Sequence, residues 1–266
     1  MIIRIKKKSI QRGLLVLLTA TFLIGTSIVL YKEDVAVFLQ TMGEIPYSGL
    51  IAPKRSTEDK VQNEKICYLT FDDGPSENTE KILDILEQYH AKATFFVIGN
   101  GLHEGCKDIF QRMKEEGHGI GLHANNHVYE KIYANVESFL NDYETLYTTL
   151  KEEYQIETAL YRFPGGSRCY YLGEKRGDYL NQMKKRGFAC FDWNVSGEDA
   201  VGKPTVGSIQ EQVFSHVFHY NVPIILLHDS SMADATVEAL PGILEKMTQE
   251  GYIFLSLECA EEYIFR

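Results

Sequence analysis

Cysteine pairing, a basic surplus and repetition are all missing from this sequence. The five cysteines, Cys67, Cys106, Cys169, Cys190 and Cys259, are odd in number and stand nowhere at CxxC spacing. That excludes a disulfide framework and a thiol-based metal site as organising features. Two of them fall in predicted strands, where buried thiols are common. Prolines number 7 and tryptophan occurs once, as Trp193. So little proline, with 24% charged and 44% hydrophobic residues, excludes a disordered chain and supports a sizeable core. No internal repeat or low-complexity tract is present. At 266 residues the chain has room for one large domain or two small ones. Lysine and arginine total 27 against 37 acidic residues, and five of the 27 precede residue 13. Residues 13–266 thus hold 22 basic residues against 37 acidic ones, a net charge of −15. Nucleic acid is a poor partner for such a surface. Anionic polymers gain nothing from it at long range, so a neutral substrate fits better.

The five early charges are Arg4, Lys6, Lys7, Lys8 and Arg12, and Leu14 to Tyr31 follows without any charge. Eighteen helical residues span roughly 27 Å, near the hydrocarbon thickness of a bilayer. The positive flank stays cytoplasmic, which puts the bulk of the chain outside. Residues 1–31 therefore read as a basic segment and signal-anchor helix that ties the protein to the membrane. A cleaved signal peptide is the rival, but no small-x-small site is evident before Tyr31-Lys32-Glu33-Asp34. Residues 32–64 read as an extracytoplasmic linker with a reach of roughly 30 Å if fully flexible.

From residue 65 to 266 the pattern alternates strand and helix. Strands are expected at 66–71, 93–98, 119–122, 159–163, 188–193, 223–228 and 252–256. Helices are expected along the apolar face Ile82, Leu83, Ile85, Leu86 and Tyr89, and at 106–116, 136–153, 178–186, 208–219 and 236–250. Gly117, Gly187 and Gly251 each sit where such a helix should end. Seven βα units in a row predict one α/β domain, a parallel sheet covered by helices and closed or nearly closed into a barrel.

In such a barrel the reactive groups gather where strands end. Asp72 and Asp73 end the first strand, ahead of Gly74-Pro75. Two carboxylates so close repel each other, so a proton or a cation is needed between them. His123 and His127 follow the third strand, four residues apart, so one helical turn would align their rings. Histidines at that spacing are commonly surface or packing residues. Joined by one Asp they make a His-His-Asp set suited to zinc or another divalent transition ion. Arg162 ends the fourth strand, where it could hold a carboxylate ionised. Trp193 follows the fifth, and His228-Asp229 ends the sixth.

The ordered set Thr70-Phe71-Asp72-Asp73-Gly74-Pro75, His123-Ala124-Asn125-Asn126-His127, Arg162-Phe163-Pro164-Gly165, Trp193 to Asp199 and Leu226-Leu227-His228-Asp229 resembles the polysaccharide deacetylase (NodB-homology) family, carbohydrate esterase family 4. The resemblance runs over roughly residues 65–260. It implies a distorted (β/α)7 barrel and metal-dependent removal of acetyl groups from N-acetylated amino sugars. It makes Asp72 the base, oriented by Arg162, and His228 the acid, partnered by Asp199. Asp73, His123 and His127 become the ligands of one divalent ion. Gly165, through its backbone N–H, with Trp193 and Leu226, would border the substrate. Three positions depart from the family pattern: Ala124 where Ser or Thr is usual, Gly165 where Tyr is common, and Ala200 where an aromatic is frequent. None removes a ligand or a proton-transfer group. The expected function is deacetylation of N-acetylglucosamine units in peptidoglycan. Deacetylation of exported polysaccharide or chitin oligomers, O-acetyl esterase activity and a silent glycan-binding role stand as alternatives.

Overall fold

The structure, a computed structural model, describes residues 65–260. The anchor expected at 1–31 and the linker at 32–64 lie outside the described residues. Among the described residues no helix is long and apolar enough to cross a membrane.

The chain runs β1 (Lys65–Asp72), α1 (Thr79–Gln88), β2 (Ala93–Ile98), α2 (Cys106–Glu115), β3 (Gly119–Ala124), α3 (Tyr129–Ile132), α4 (Val136–Tyr154), β4 (Leu160–Tyr161), α5 (Arg176–Lys185), β5 (Ala189–Cys190), β6 (Val195–Ser196), α6 (Val206–Val217), β7 (Ile224–His228), α7 (Asp234–Gln249) and β8 (Tyr252–Phe254). The sheet order is β5-β4-β3-β2-β1-β7-β6, with β8 beside the start of β1. Every pairing is parallel. The two edges of this order, β5 and β6, do not pair. The segment between them runs from one edge to the other: Phe191 N–H reaches the Tyr161 carbonyl and Asn194 N–H the Ile224 carbonyl. The half-open barrel is thus bridged by its own chain.

Three expectations shift. The strands expected at 159–163 and 188–193 contract to two residues each, and a two-residue β6 appears beyond them. Pro164 has no N–H to extend the fourth strand, and past Cys190 the chain crosses to the other edge. The sixth and seventh helices begin two residues before the apolar period does. At α6 the start is set by Thr205, which caps the helix by exchanging a capping box with Ser208. The short α3 carries too few residues to show a period.

Side chains alternate across the strands. One set fills the barrel: Tyr68, Phe96, Leu160, Ala189, Phe191 and Ile224 form a buried cluster that Leu257 completes. The other set meets the helices. Tyr161 and Phe163 pack on Phe139 of α4, with ring centroids 5.8 and 5.5 Å away. Above the interior cluster lie Thr70 and Leu226, paired in register, and above them Asp72 and His228, also in register. The apolar filling therefore supports a polar layer at the strand tips.

Gly121 sits inside this filling. A Cβ there would meet the Phe96 ring at 2.5 Å and the Leu160 Cβ at 3.1 Å. Gly121→Ala should lower stability by about 1–3 kcal/mol, the cost of overpacking a filled core. Thermal and urea unfolding of the variant against the parent measures this.

Candidate active site

Asp72 is the last residue of β1 and 3% exposed. Its Oδ1 accepts a hydrogen bond from Arg162 Nη1 at 2.9 Å. Arg162 is fully buried and spends its other donors on Thr70 Oγ1 (2.7 Å), the Phe191 carbonyl (3.0 Å) and the Asp192 carbonyl (3.3 Å). Its guanidinium lies 4.2 Å from the centre of the Phe96 ring and 5.6 Å from that of Trp193. A planar, always charged fork can satisfy these partners together, which an ammonium cannot. Asp72 Oδ2 is left facing the cleft, 3.7 Å from His123 Nε2.

Asp73 leaves the strand with φ 74°, and this turns its carboxylate toward the same cleft. Its Oδ1 is buried without a hydrogen-bond donor, 3.6 Å from His123 Nε2 and 3.4 Å from His127 Nε2. His123 ends inside β3, where Nδ1 contacts the Arg162 carbonyl at 2.9 Å. A carbonyl only accepts, so Nδ1 carries the hydrogen and Nε2 presents its lone pair. Burial lowers the pKa of His127, against the opposing charge of Asp73. Ligand atoms of Asp73, His123 and His127 all lie within 4.8 Å of one another. A carboxylate oxygen orphaned between two imidazole lone pairs fits a divalent cation of the zinc type.

The two histidines do not share a helical turn, as their spacing suggested. His123 lies on a strand and His127 in the loop beyond, at φ 51°. The turn between them is shaped by a residue that sequence reasoning missed. Asp142, on α4, accepts hydrogen bonds from Asn125 N (2.7 Å), Asn126 N (3.2 Å) and the Asn126 side chain. Burial raises its pKa, while those amide donors oppose the rise. The loop therefore has an external support although Ala124 supplies no hydroxyl.

His228, at the tip of β7, donates from Nδ1 to Asp199 Oδ1 at 2.8 Å. The other oxygen of Asp199 accepts from His228 N and Thr236 Oγ1, each at 2.7 Å. Burial works against a charged His228 ring. The hydrogen bond and charge of Asp199, with the charges of Asp72 and Asp73, outweigh it and lift the pKa to about 9. Asp199 is itself buried, but the donors from His228 and Thr236 hold its pKa below the usual carboxylate value.

Asp229 is fully buried beneath the turn that carries Asp73. It accepts from Thr79 Oγ1 (2.7 Å) and Ser76 Oγ (3.1 Å), and its own N–H reaches the Asp72 carbonyl at 2.7 Å. Burial raises its pKa to about 7 against those two hydroxyl donors. A Cβ at Gly74 would stand 2.3 Å from the Asp229 carboxylate, so no side chain fits there. Opposite, Asp192 holds the turn after Arg162 through Ser167 N (2.8 Å) and Ser167 Oγ (2.6 Å). In that turn Gly166 N–H is spent on the Phe163 carbonyl, whereas Gly165, exposed at φ 74°, keeps its N–H without a partner among the described residues. Trp193 lies against Gly166, and Leu226 is buried two residues before His228. A cleft of about 760 Å³ opens from Asp73 and His127 past Ser76, Glu77, His103 and Ser230. His118, by contrast, is a core residue that accepts from Ala93 N at 3.1 Å.

The fold and the site thus define a parallel α/β enzyme with a two-histidine, one-carboxylate cluster flanked by a clamped carboxylate and a backed imidazole. The family model described as polysaccharide deacetylase matches residues 59–189. A peptidoglycan-N-acetylglucosamine deacetylase of Bacillus cereus is 34% identical over 194 residues, 71% of this chain and 68% of that protein. Among solved structures, the catalytic domain of a peptidoglycan N-acetylglucosamine deacetylase from Eubacterium rectale is 34% identical, with a TM-score of 0.67, covering 74% of this chain and 90% of that one. A CE4 esterase from Streptococcus mutans is 31% identical, with a TM-score of 0.65, covering 73% and 86%. The chain belongs to the polysaccharide deacetylase family of carbohydrate esterase family 4, and it is a hydrolase acting on amide bonds.

Asp142 stands behind the cluster, and its loss should loosen it. Asp142→Ala should weaken zinc binding by about 10- to 100-fold, as removal of a ligand-orienting partner does. Adding Ala124→Ser should recover part of that loss, since a hydroxyl would then stand beside the histidine loop. Calorimetric titration with zinc reads both.

Proposed function

We propose that this protein is a metal-dependent N-deacetylase that removes acetyl groups from N-acetylglucosamine units of cell-wall peptidoglycan. The observation that carries the reading is convergence: an arginine-clamped carboxylate and an aspartate-backed imidazole face one three-ligand cluster. The names of the relatives support the substrate. One is a peptidoglycan-N-acetylglucosamine deacetylase, and another, from Bacillus subtilis and 29% identical over 204 residues, is a peptidoglycan-N-acetylmuramic acid deacetylase.

Asp73, His123 and His127 would hold the ion, with zinc the best match to two imidazoles and a carboxylate. A bound divalent ion supplies Lewis acidity toward the acetyl carbonyl and toward water. The remaining chemistry belongs to the chain. Arg162 holds Asp72 in place through Oδ1, and Asp72 Oδ2 takes a proton from the attacking water. Oxygen adds to the carbonyl carbon, and the unpaired Gly165 N–H donates to the oxyanion that forms. His228 enters as a cation, its Nδ1 proton held by Asp199, and gives its Nε2 proton to the amine as the carbon–nitrogen bond breaks. Acetate and the free amino sugar leave. Asp199 thus keeps the acid charged where an ordinary histidine would be neutral.

Residues 14–31 are proposed as an uncleaved anchor, with the catalytic domain outside the cytoplasmic membrane, where the wall is. In fractionated cells the full-length protein should stay with membranes and be open to added protease. Release of a soluble form beginning after residue 31 overturns the anchor.

Acetate release should be measured on purified peptidoglycan, chitin oligomers and an O-acetylated sugar. Asp72→Asn should keep the metal and lose about 10²–10⁴ in rate, the usual worth of a positioned base. Activity of the parent should hold up to about pH 9 and fall above it, as His228 loses its proton. Asp199→Asn should move that falling limb to lower pH by roughly one to three pH units, the scale of an opposite charge in contact. An unmoved limb removes His228 from the acid role.

A further inference from the structure

Gly165 leaves the wall of the cleft without the aromatic side chain common in the family, and other residues occupy the place. A Cβ at Gly165 would meet Tyr129 Cε1 and Cys169 Sγ, each at 3.0 Å. Tyr129 starts α3, two residues after His127, and their rings meet edge to face with centroids 5.4 Å apart. Tyr171 lies 5.3 Å beyond Tyr129, and Tyr170 a further 6.1 Å beyond Tyr171. The Tyr171 hydroxyl donates to Glu130 Oε1 at 2.8 Å, which fixes its ring. Tyr170 is 92% exposed and Tyr171 43%. An aromatic ring exposed to that degree adds nothing to the core. Two of them, joined through Tyr129 to a ring of the metal cluster, make a binding surface.

We infer that Tyr129, Tyr171 and Tyr170 form an extended sugar-binding platform that stacks on pyranose units next to the one being deacetylated. The inference rests on the glycan deacetylase reading and adds the subsite. Aromatic faces suit the C–H faces of a pyranose while their hydroxyls bond at the rim. The platform begins at His127 and steps outward through edge-on and tilted ring contacts, so its outer end lies beyond the reacting acetyl group. The partner is therefore the continuing glycan strand. Tyr129 replaces the missing wall residue, and Tyr171 and Tyr170 lengthen the wall.

The test uses full-length protein and β-linked N-acetylglucosamine oligomers from dimer to hexamer. For the parent, kcat/KM should rise with oligomer length. In Tyr170→Ala and Tyr171→Ala the advantage of hexamer over dimer should fall about three- to tenfold, the worth of one aromatic contact. Tyr220→Ala should keep the parent ratio, because Tyr220 lies in the loop that leads into β7, at the far end of the sheet. Calorimetry of metal-free protein with hexamer should show the same ranking without turnover. An unchanged length ratio together with unchanged hexamer affinity overturns the platform. Absence of turnover in the parent, with hexamer affinity that still depends on Tyr170 and Tyr171, overturns the deacetylase reading and leaves the platform standing.

Discussion

The site depends on one buried ion pair. Arg162 has no exposed surface, and it connects Asp72 of β1 to the backbone after β5 while lying over Phe96 of β2. Losing either charge of a buried pair costs on the order of 3–5 kcal/mol, because the survivor stays desolvated. The pair around Arg112 makes a useful contrast. Arg112 meets Asp84, Glu87 and Glu116 at the surface, where such contacts contribute about 0–1 kcal/mol. Arg162 instead joins the packing of the sheet to the placement of the candidate base in one set of buried bonds. The strands β4 and β5 are two residues long, so side-chain bonds from Arg162 do part of the joining that ladder bonds do elsewhere in the sheet.

Three histidines near the cleft meet three different surroundings. His123 has its Nδ1 hydrogen tied to a carbonyl, which leaves a lone pair outward. Burial lowers the pKa of His127. His228 is buried too, but a carboxylate on its Nδ1 reverses the balance. Environments that push like groups apart fit the proposed division between ligand and acid.

Much of this was legible in the sequence because the candidate site residues sit at strand tips, and strand tips show as apolar runs that stop. Asp72, Asp73, His123, Arg162 and His228 were found that way. The spacing of His123 and His127 pointed to the right pair through the wrong geometry: a helical turn was expected, and a strand end with a left-handed residue is present. Asp142 was invisible, since on a helix it reads as one more polar position and its partners lie 16 and 17 residues earlier. Asp229 was noticed only as the neighbour of His228. Its burial beneath Gly74 comes from parallel register between β1 and β7, which no local pattern records. The two-residue β6 escaped because a period needs more than one repeat. The resemblance to the family gave the roles; the geometry gave the supports behind them.

Gly74 and Gly165 each follow a strand with a candidate site residue at or just past its end, and they differ in one respect. At Gly74 the missing side chain is forbidden by a buried carboxylate that also anchors Ser76 and Thr79. At Gly165 the space is taken by two half-buried side chains, one of them a tyrosine from a separate short helix. A drifting sequence can therefore rebuild the second wall piece by piece while the first tolerates no change. The turn beside the candidate metal ligands is thus fixed in shape, and the proposed sugar-facing side is free to diverge.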